Sequence, residues 1–212
     1  MIIGITINNI LRDHLTKLSE AYEVITEKKP VEPINPFDLE KSFPTVVEEL
    51  QEAEFNINEI KLGKLPENES EDKSFEVYNF IYNDAAFEIF GRCEETEPNI
   101  LAKLFKFSKE NDVEIVLLNR ESSRSKCATL FYLSKNQFDF GKIIFPDDWK
   151  SFWKHCDVLV TDNPEILKIK RRKKTLIKVN NEFNLDYDAD FTIFKISDLF
   201  NIIDDVKAKI KK

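Results

Sequence analysis

The sequence contains no apolar run that approaches the roughly 20 residues needed to cross a bilayer as a helix. Its first residues form a short apolar segment and lack the charged, apolar and small-residue order of a secretion signal. We therefore expect a protein that has no membrane partner and is cytoplasmic when made.

Cysteine is scarce, and its spacing excludes two common uses. Cys93, Cys127 and Cys156 are odd in number, lie far apart and form no C-x-x-C pair. This pattern indicates neither a disulfide framework nor a zinc site. Cys127 falls on the expected apolar face of a helix, where we expect it to fill the core.

Positive charge is also in deficit. The 212 residues contain 31 Lys and Arg against 39 Asp and Glu, which gives a net charge of −8. An acidic chain of this kind is a poor match for nucleic acid, so we expect no nucleic-acid partner.

What the sequence does contain is a repeated alternation of helical patterns with short apolar runs. Strands are predicted in the segments 2–7, 113–119, 141–145, 158–161, 175–179 and 191–196. Parallel strands need crossover connections, which the intervening helices supply. The expected fold is α/β, a doubly wound, mainly parallel sheet.

Three prolines interrupt this alternation after the first helical segment. Pro30, Pro33 and Pro36 cannot continue a helix and indicate a connector into a separate unit. The following acidic stretch is mostly helical in pattern, with helices predicted over 44–54 and 74–90. The predicted organisation is a core made of residues 1–29 and 98–212, with a helical, cap-like insertion over 30–97.

Polar side chains follow three of the predicted strands at the point where each ends. They are Thr6 with Asn8, Asn119 with Arg120, and Thr161 with Asp162. Ligands of open parallel sheets bind at the carboxyl ends of the strands, so a site is expected there. Thr6 and Asn8 lie two residues apart on one strand and therefore share a face.

The stretches ITINNIL, VLLNRE, DDWKSFWKHC and DVLVTDNPEIL resemble, in order and spacing, the motifs of the haloacid dehalogenase-like (HAD-like) superfamily, in particular its phosphatases and 5'-nucleotidases. The resemblance implies a Rossmann-like core with the insertion in the position of that family's cap. It also implies a role for each matching residue. Thr6 stands in place of the nucleophilic aspartate, and Asn8 stands in place of the general acid. Asn119 takes the position of the Ser or Thr that holds the phosphoryl group, and Lys150 or Lys154 takes the position of the phosphate-steadying lysine. Thr161 and Asp162 take the positions of the final acidic pair.

These replacements remove the chemistry that the family mechanism needs. A threonine hydroxyl is a poor nucleophile without a neighbouring base, and the Asn8 amide cannot serve as a general acid. Asp162 alone is a weak candidate for holding magnesium. We therefore expect no catalytic residue and no cofactor, with magnesium required only if the protein is active.

Three functions follow from this resemblance. The first is a catalytically degenerate protein that acts as a structural or scaffolding subunit through other protein subunits. Its likeness to degenerate members from tailed bacteriophages, including crAss-like phages, implies a phage protein and a component of the virion. The second is a magnesium-dependent phosphatase or 5'-nucleotidase of weak or altered activity. The third is a phosphate or nucleotide binder that does not hydrolyse its ligand, with phosphate held by Thr6, Asn8, Asn119, Arg120 and Lys150.

Overall fold

The computed structural model of the chain describes residues 1–26, 29–43, 78–121, 123–138, 141–169 and 173–210. The helix predicted over 44–54 and the first four residues of the helix predicted over 74–90 lie outside these ranges. Within the described ranges, no helix combines the length and the apolar character that crossing a membrane requires.

Six strands form one sheet in which every neighbouring pair is parallel. They are β1 (Ile2–Thr6), β2 (Glu114–Leu118), β3 (Lys142–Ile144), β4 (Val158–Thr161), β5 (Thr175–Val179) and β6 (Phe191–Ile193). Their order is β3-β2-β1-β4-β5-β6. The predicted fold class, a doubly wound parallel α/β sheet, is confirmed.

The strand order reverses beside β1, and the site is expected at this reversal point. The chain first adds β2 and β3 on one side of β1 and then adds β4, β5 and β6 on the other. Ile5 of β1 pairs with Leu117 of β2 and with Val160 of β4, so the carboxyl ends of the three strands lie at the same edge. Ligands of doubly wound sheets bind at such a reversal point.

The helical elements connect these strands or follow them in the chain. Within the described ranges, the α-helices are α1 (His14–Thr26), α2 (Leu39–Ser42), α3 (Ile100–Asn111), α4 (Ser123–Lys135), α5 (Pro164–Leu167) and α6 (Leu199–Ile210). Two 3₁₀ segments cover Trp149–Lys154 and Ile196–Asp198, and two π-helical segments cover Phe80–Asp84 and Phe87–Gly91. The spacing of apolar residues after the first strand predicts a helix over 12–27, whereas α1 begins at His14.

The chain packs as two compact units. One consists of Met1–Asp13, Glu94–Glu121 and Tyr132–Lys212 and contains the sheet. An apolar cluster within it joins strand residues such as Val116 and Leu159 to Phe152 of the first 3₁₀ segment.

The second unit consists of His14–Cys93 and Ser122–Phe131. Its described core contains Leu18, Phe43, Ile81 and Phe90. Each π-helical segment ends with a backbone hydrogen bond between residues five apart. Ala85 N donates to Phe80 O at 2.8 Å, and Arg92 N donates to Phe87 O at 2.9 Å. The predicted division at residues 30 and 97 stays a prediction, because part of the insertion lies outside the described residues.

One sequence expectation within α4 is wrong. Cys127 was expected to fill the core, but its side chain is exposed. Leu130 and Phe131 are also about half exposed, at 48% each. The buried face of α4 is instead formed by Ser125, Ala128, Thr129, Tyr132 and Leu133.

Candidate functional site

The residues that follow β1, β2 and β4 form a continuous polar edge. Thr6 ends β1, Asn119 follows β2, and Asp162 follows Thr161, the last residue of β4. All four are less than 9% exposed, so their polar atoms are largely removed from water. Buried polar atoms need hydrogen-bond partners, and the identity of those partners decides what the edge can do.

The two threonines form a direct contact across the reversal point. The Thr6 hydroxyl donates to Thr161 Oγ1 over 3.2 Å. Thr161 Oγ1 also accepts from the backbone N–H of Asn163 at 3.2 Å. Among the described residues, no carboxylate or imidazole takes the Thr6 proton, so none of them activates the hydroxyl as a nucleophile.

Arg12 fills the space beside Asn8. Its side chain is completely buried and its Nε donates to Asn8 Oδ1 at 2.7 Å, with Nη2 donating to the same oxygen. Asn119 Nδ2 is a third donor to this oxygen, at 3.3 Å. The tight turn that brings Arg12 back to Asn8 passes through Asn9, which has a left-handed φ of 61°.

Glu121 completes this group from the segment after β2. Its side chain is 0% exposed and pairs with Arg12 Nη2. It also accepts from Asn119 Nδ2 at 2.7 Å. The ring of Tyr132 lies 5.7 Å from the guanidinium carbon of Arg12, a cation–π distance. The positive charge of Arg12 is therefore balanced within the protein.

Asp162 is held by amide groups rather than by cations. Asn9 Nδ2 donates to Asp162 Oδ2 at 3.3 Å, and Asn181 Nδ2 donates to the same oxygen at 3.2 Å. Asn184 Nδ2 bonds the backbone oxygen of Asp162 at 2.9 Å. Asn9 Oδ1 is buried and has no hydrogen-bond partner among the described residues.

Burial changes the acidity of this carboxyl group. Loss of hydration raises the pKa of Asp162 to about 7, although the hydrogen bond from Asn9 acts in the opposite direction. Asp162 therefore keeps its proton to a higher pH than an exposed aspartate does.

Three of the predicted phosphate-site residues lie apart from the hydrogen bonds described above. Arg120 is exposed, and its guanidinium carbon stacks 5.0 Å from the ring of Trp149. Lys150 and Lys154 are exposed on the first 3₁₀ segment. Thr6, Asn8, Asn119, Thr161 and Asp162 do come together at the strand edge, but their roles toward phosphate stay predictions.

The fold of this chain is similar to that of known proteins. No protein-family model and no curated protein matches the sequence. Among solved structures, a Thermotoga maritima protein assigned as a β-phosphoglucomutase is similar over 97% of this chain and 99% of its own, with a TM-score of 0.56 and 14% identity. A magnesium-bound Bacillus subtilis protein assigned as a HAD-hydrolase is similar over 96% and 98%, with a TM-score of 0.50 and 11% identity. The chain has the HAD-like fold.

The HAD-like fold implies a magnesium ion at this edge, but the described donors do not fit one. Magnesium favours carboxylates, waters and phosphate oxygens in octahedral geometry. Here Asn8 Oδ1 already accepts from three donors, and the cation of Arg12 lies beside it. Asp162 is a carboxyl group whose pKa is raised to about 7. In the described part of the chain, no cluster of three or more His, Cys, Asp and Glu side chains could hold a metal ion.

Sequence reasoning missed four residues of this HAD-like edge. None of Arg12, Glu121, Asn181 and Asn184 is among the site residues predicted from the sequence. One signal was available for Arg12, because an Asn-Asn pair favours a turn and a basic side chain four residues later can reach back to it. The partnership with Glu121 crosses 109 residues and has no local signal.

Proposed function

We propose that this chain is a catalytically degenerate member of the HAD-like superfamily that acts as a structural or scaffolding subunit through its surfaces. The observation that carries the proposal is the state of Asn8. Its side-chain oxygen is occupied by Arg12 and Asn119, and its amide has no proton of the acidity that a leaving oxygen requires. The resemblance gives this position to the general acid.

The first strand supports the same proposal. Thr6 donates its proton to Thr161 rather than to a base, and both side chains are buried. Loss of a covalent nucleophile lowers turnover by roughly 10⁴- to 10⁶-fold. The combined loss of nucleophile, general acid and metal ligands leaves little basis for hydrolysis. We propose that the protein needs no cofactor.

The partners that we propose are other protein subunits, and the setting that we propose is the particle of a tailed bacteriophage. The protein would be made in the cytoplasm and then assembled into the virion. This part of the proposal rests on the resemblance of the first strand to aspartate-poor members from phage genomes.

A second candidate function is favoured by Asp162. A carboxyl group whose pKa lies near 7 is suited to proton transfer at neutral pH. This property favours a magnesium-dependent phosphatase or 5'-nucleotidase of weak or altered activity. Against it, Asp162 is only 3% exposed and one of its oxygens already accepts from two amides.

Hydrolysis assays separate the two candidates. Purified protein is incubated with magnesium and either an aryl phosphate or a 5'-nucleoside monophosphate, beside Asp162→Ala and the exposed control Lys106→Ala. We expect all three proteins to release phosphate no faster than buffer. Turnover in the wild type that is lost in Asp162→Ala and kept in Lys106→Ala would overturn the proposal in favour of the enzyme.

Two solution measurements test the structural role. Sizing of the chain with and without the products of neighbouring genes is expected to show a stable assembly. Inorganic phosphate and a nucleoside monophosphate are expected to leave its melting temperature unchanged. A strict monomer that is stabilised by the nucleotide would instead support a binder that does not hydrolyse its ligand.

A further inference from the structure

Arg12 is the most unusual side chain of the strand edge. Its exposure is 0%, and the Glu121 side chain that pairs with it is also 0% exposed. A buried charge is strongly unfavourable unless it is paired and hydrogen-bonded. The surroundings of Arg12 must therefore be arranged for a cation.

The partners of Arg12 come from two strand ends. Asn8 lies just after β1, and Glu121 lies three residues after the end of β2. Asn119 donates to both Asn8 and Glu121, at 3.3 and 2.7 Å, and joins the two acceptors. The guanidinium therefore sits where two strand ends present oxygen atoms, with the Tyr132 ring 5.7 Å away.

We infer that Arg12 is the resident cation of this strand edge: it takes up the oxygen atoms that follow β1 and β2 and thereby excludes a divalent metal ion. The inference rests on the proposed function, since both require an edge that works without magnesium. It goes further in naming the residue responsible. It implies that the missing aspartates are only one of two obstacles to metal binding.

Metal binding by restored carboxylates tests this directly. The variant Thr6→Asp/Asn8→Asp is compared with Thr6→Asp/Asn8→Asp/Arg12→Gln, each melted in millimolar MgCl₂ and in NaCl of equal ionic strength. We expect magnesium to leave the double variant unchanged, because the new carboxylate at position 8 pairs with Arg12, which already contacts that position. We expect it to raise the melting temperature of the triple variant by several degrees, since ligands that bind only the folded state stabilise it.

Chemical rescue tests the cation site without any metal. Arg12→Ala removes the cation that pairs with the buried Glu121 carboxylate, and we expect the melting temperature to fall by roughly 10 °C. Guanidinium chloride at low millimolar concentration is expected to restore part of this loss, whereas NaCl and urea are not. The matched control is Arg120→Ala, because Arg120 is exposed and stacks on Trp149. Its melting temperature is expected to change little and to show no response to guanidinium.

A conservative pair keeps the inference testable if Arg12→Ala fails to fold. Arg12→Lys retains the charge, and Arg12→Gln retains much of the length without it. We expect the lysine variant to melt above the glutamine variant and below the wild type, because lysine cannot reproduce the forked contacts of arginine.

The inference is overturned if magnesium stabilises the double variant as much as the triple variant, or if it stabilises neither. It is also overturned if guanidinium raises the melting temperatures of Arg12→Ala and Arg120→Ala equally. Equal melting temperatures of Arg12→Lys and Arg12→Gln would overturn it as well. These failures are separable from failure of the proposed function. Phosphatase activity in the wild type would overturn that function and leave the guanidinium rescue in place. An inactive wild type without rescue would overturn only the role of Arg12.

Discussion

At the end of β4, the carboxyl group of Asp162 lies among amides, with no cation among the described residues that contact it. It is 3% exposed, and burial raises its pKa to about 7. In the unfolded chain the same group titrates near 3.8. Between these two values the folded protein holds a proton that the unfolded chain has lost, so stability falls as the pH rises from about 4 to about 7.

We predict that Asp162→Asn removes this pH dependence. An asparagine oxygen can accept from Asn9 and Asn181 as the carboxyl oxygen does, and it carries no charge. Relative to the wild type, the variant should therefore gain stability between pH 4 and pH 7, by at most about 4 kcal/mol. The measurement is chemical unfolding across this pH range.

Asp148 supplies a control of opposite sign. This aspartate caps the first 3₁₀ segment, and hydrogen bonds from Ser151 lower its pKa. Its contribution to stability is present above the unfolded pKa and is lost as the pH falls, so Asp148→Asn should lose relative stability as the pH rises. Parallel pH profiles for the two variants would contradict the assignment of the buried charge to Asp162.

For individual residues, the sequence predicted that polar side chains meet at the strand ends, but not which of them form hydrogen bonds with one another. Thr6, Asn119 and Thr161 could be placed because the carboxyl ends of parallel strands share an edge. Arg12 could not, because its burial depends on Glu121, which lies 109 residues away. A buried ion pair leaves no periodic pattern, and a basic residue near a helix start is ordinarily expected to be exposed.

Strand β1 lies between β2 and β4, and the candidate site follows the ends of these three strands. Gly4 has no side chain, which lets β1 pack closely against its neighbours. A Cβ atom at this position would lie 2.7 Å from Leu118 Cδ1 of β2 and 2.9 Å from Cys156 Sγ. Both distances are shorter than real Cβ contacts. A larger residue would therefore force β1 away from its neighbours or force their side chains to move.

We predict that Gly4→Ala destabilises the protein by about 1 to 3 kcal/mol through overpacking. Thermal unfolding measures the loss. The matched variant is Gly4→Ala/Leu118→Val, which removes the atom nearest to the new methyl group and should cost less than the sum of the two single changes. Additive losses would show that the contact with Leu118 is not the source of the strain.

The connection after β5 is fastened to the site by Asn184. This fully buried amide donates to the backbone oxygens of Asp162 and Val179, each at 2.9 Å, and accepts from the N–H of Asn181 at 3.1 Å. It joins the ends of β4 and β5 and helps to place Asn181 against Asp162. All of these bonds come from one side chain.

We predict that Asn184→Ala costs about 2 to 3 kcal/mol, because it leaves two buried carbonyl groups without their donor. Denaturant unfolding gives the value. Asn136→Ala is a suitable control, since that amide donates to the Tyr132 carbonyl within its own helix end and its loss should cost less. Equal losses in the two variants would argue against a special role for the connection after β5.

The strands could be predicted from the sequence and the phase of one helix could not. The runs at β1, β2 and β5 are short, apolar and β-branched, a pattern typical of buried parallel strands. In α4, apolar residues occupy more than one face, with Leu130 and Phe131 exposed and Tyr132 and Leu133 buried. Periodicity cannot choose between such faces, and tertiary contacts such as Tyr132 OH to Leu11 O, at 2.8 Å, decide.

On the scale of the whole molecule, the net charge of −8 sets which macromolecules the chain can approach. The segment 168–174 is basic, in contrast to the acidic chain as a whole, and its residues 170–172 lie outside the described ranges. Lys168 pairs with Glu165 at 2.6 Å, and Lys174 donates to the Cys156 carbonyl at 2.7 Å. Two of its charges are thus already engaged within the protein.

We predict that the chain does not bind double-stranded DNA at micromolar concentration in 50 to 200 mM salt. Non-specific binding arises from cations that displace counterions, and an acidic molecule repels the duplex before a local basic stretch can act. Fluorescence polarisation with a labelled duplex measures this. Binding that weakens with salt and is lost in Lys173→Glu but kept in Lys150→Glu would contradict the prediction and locate the contact at the basic stretch.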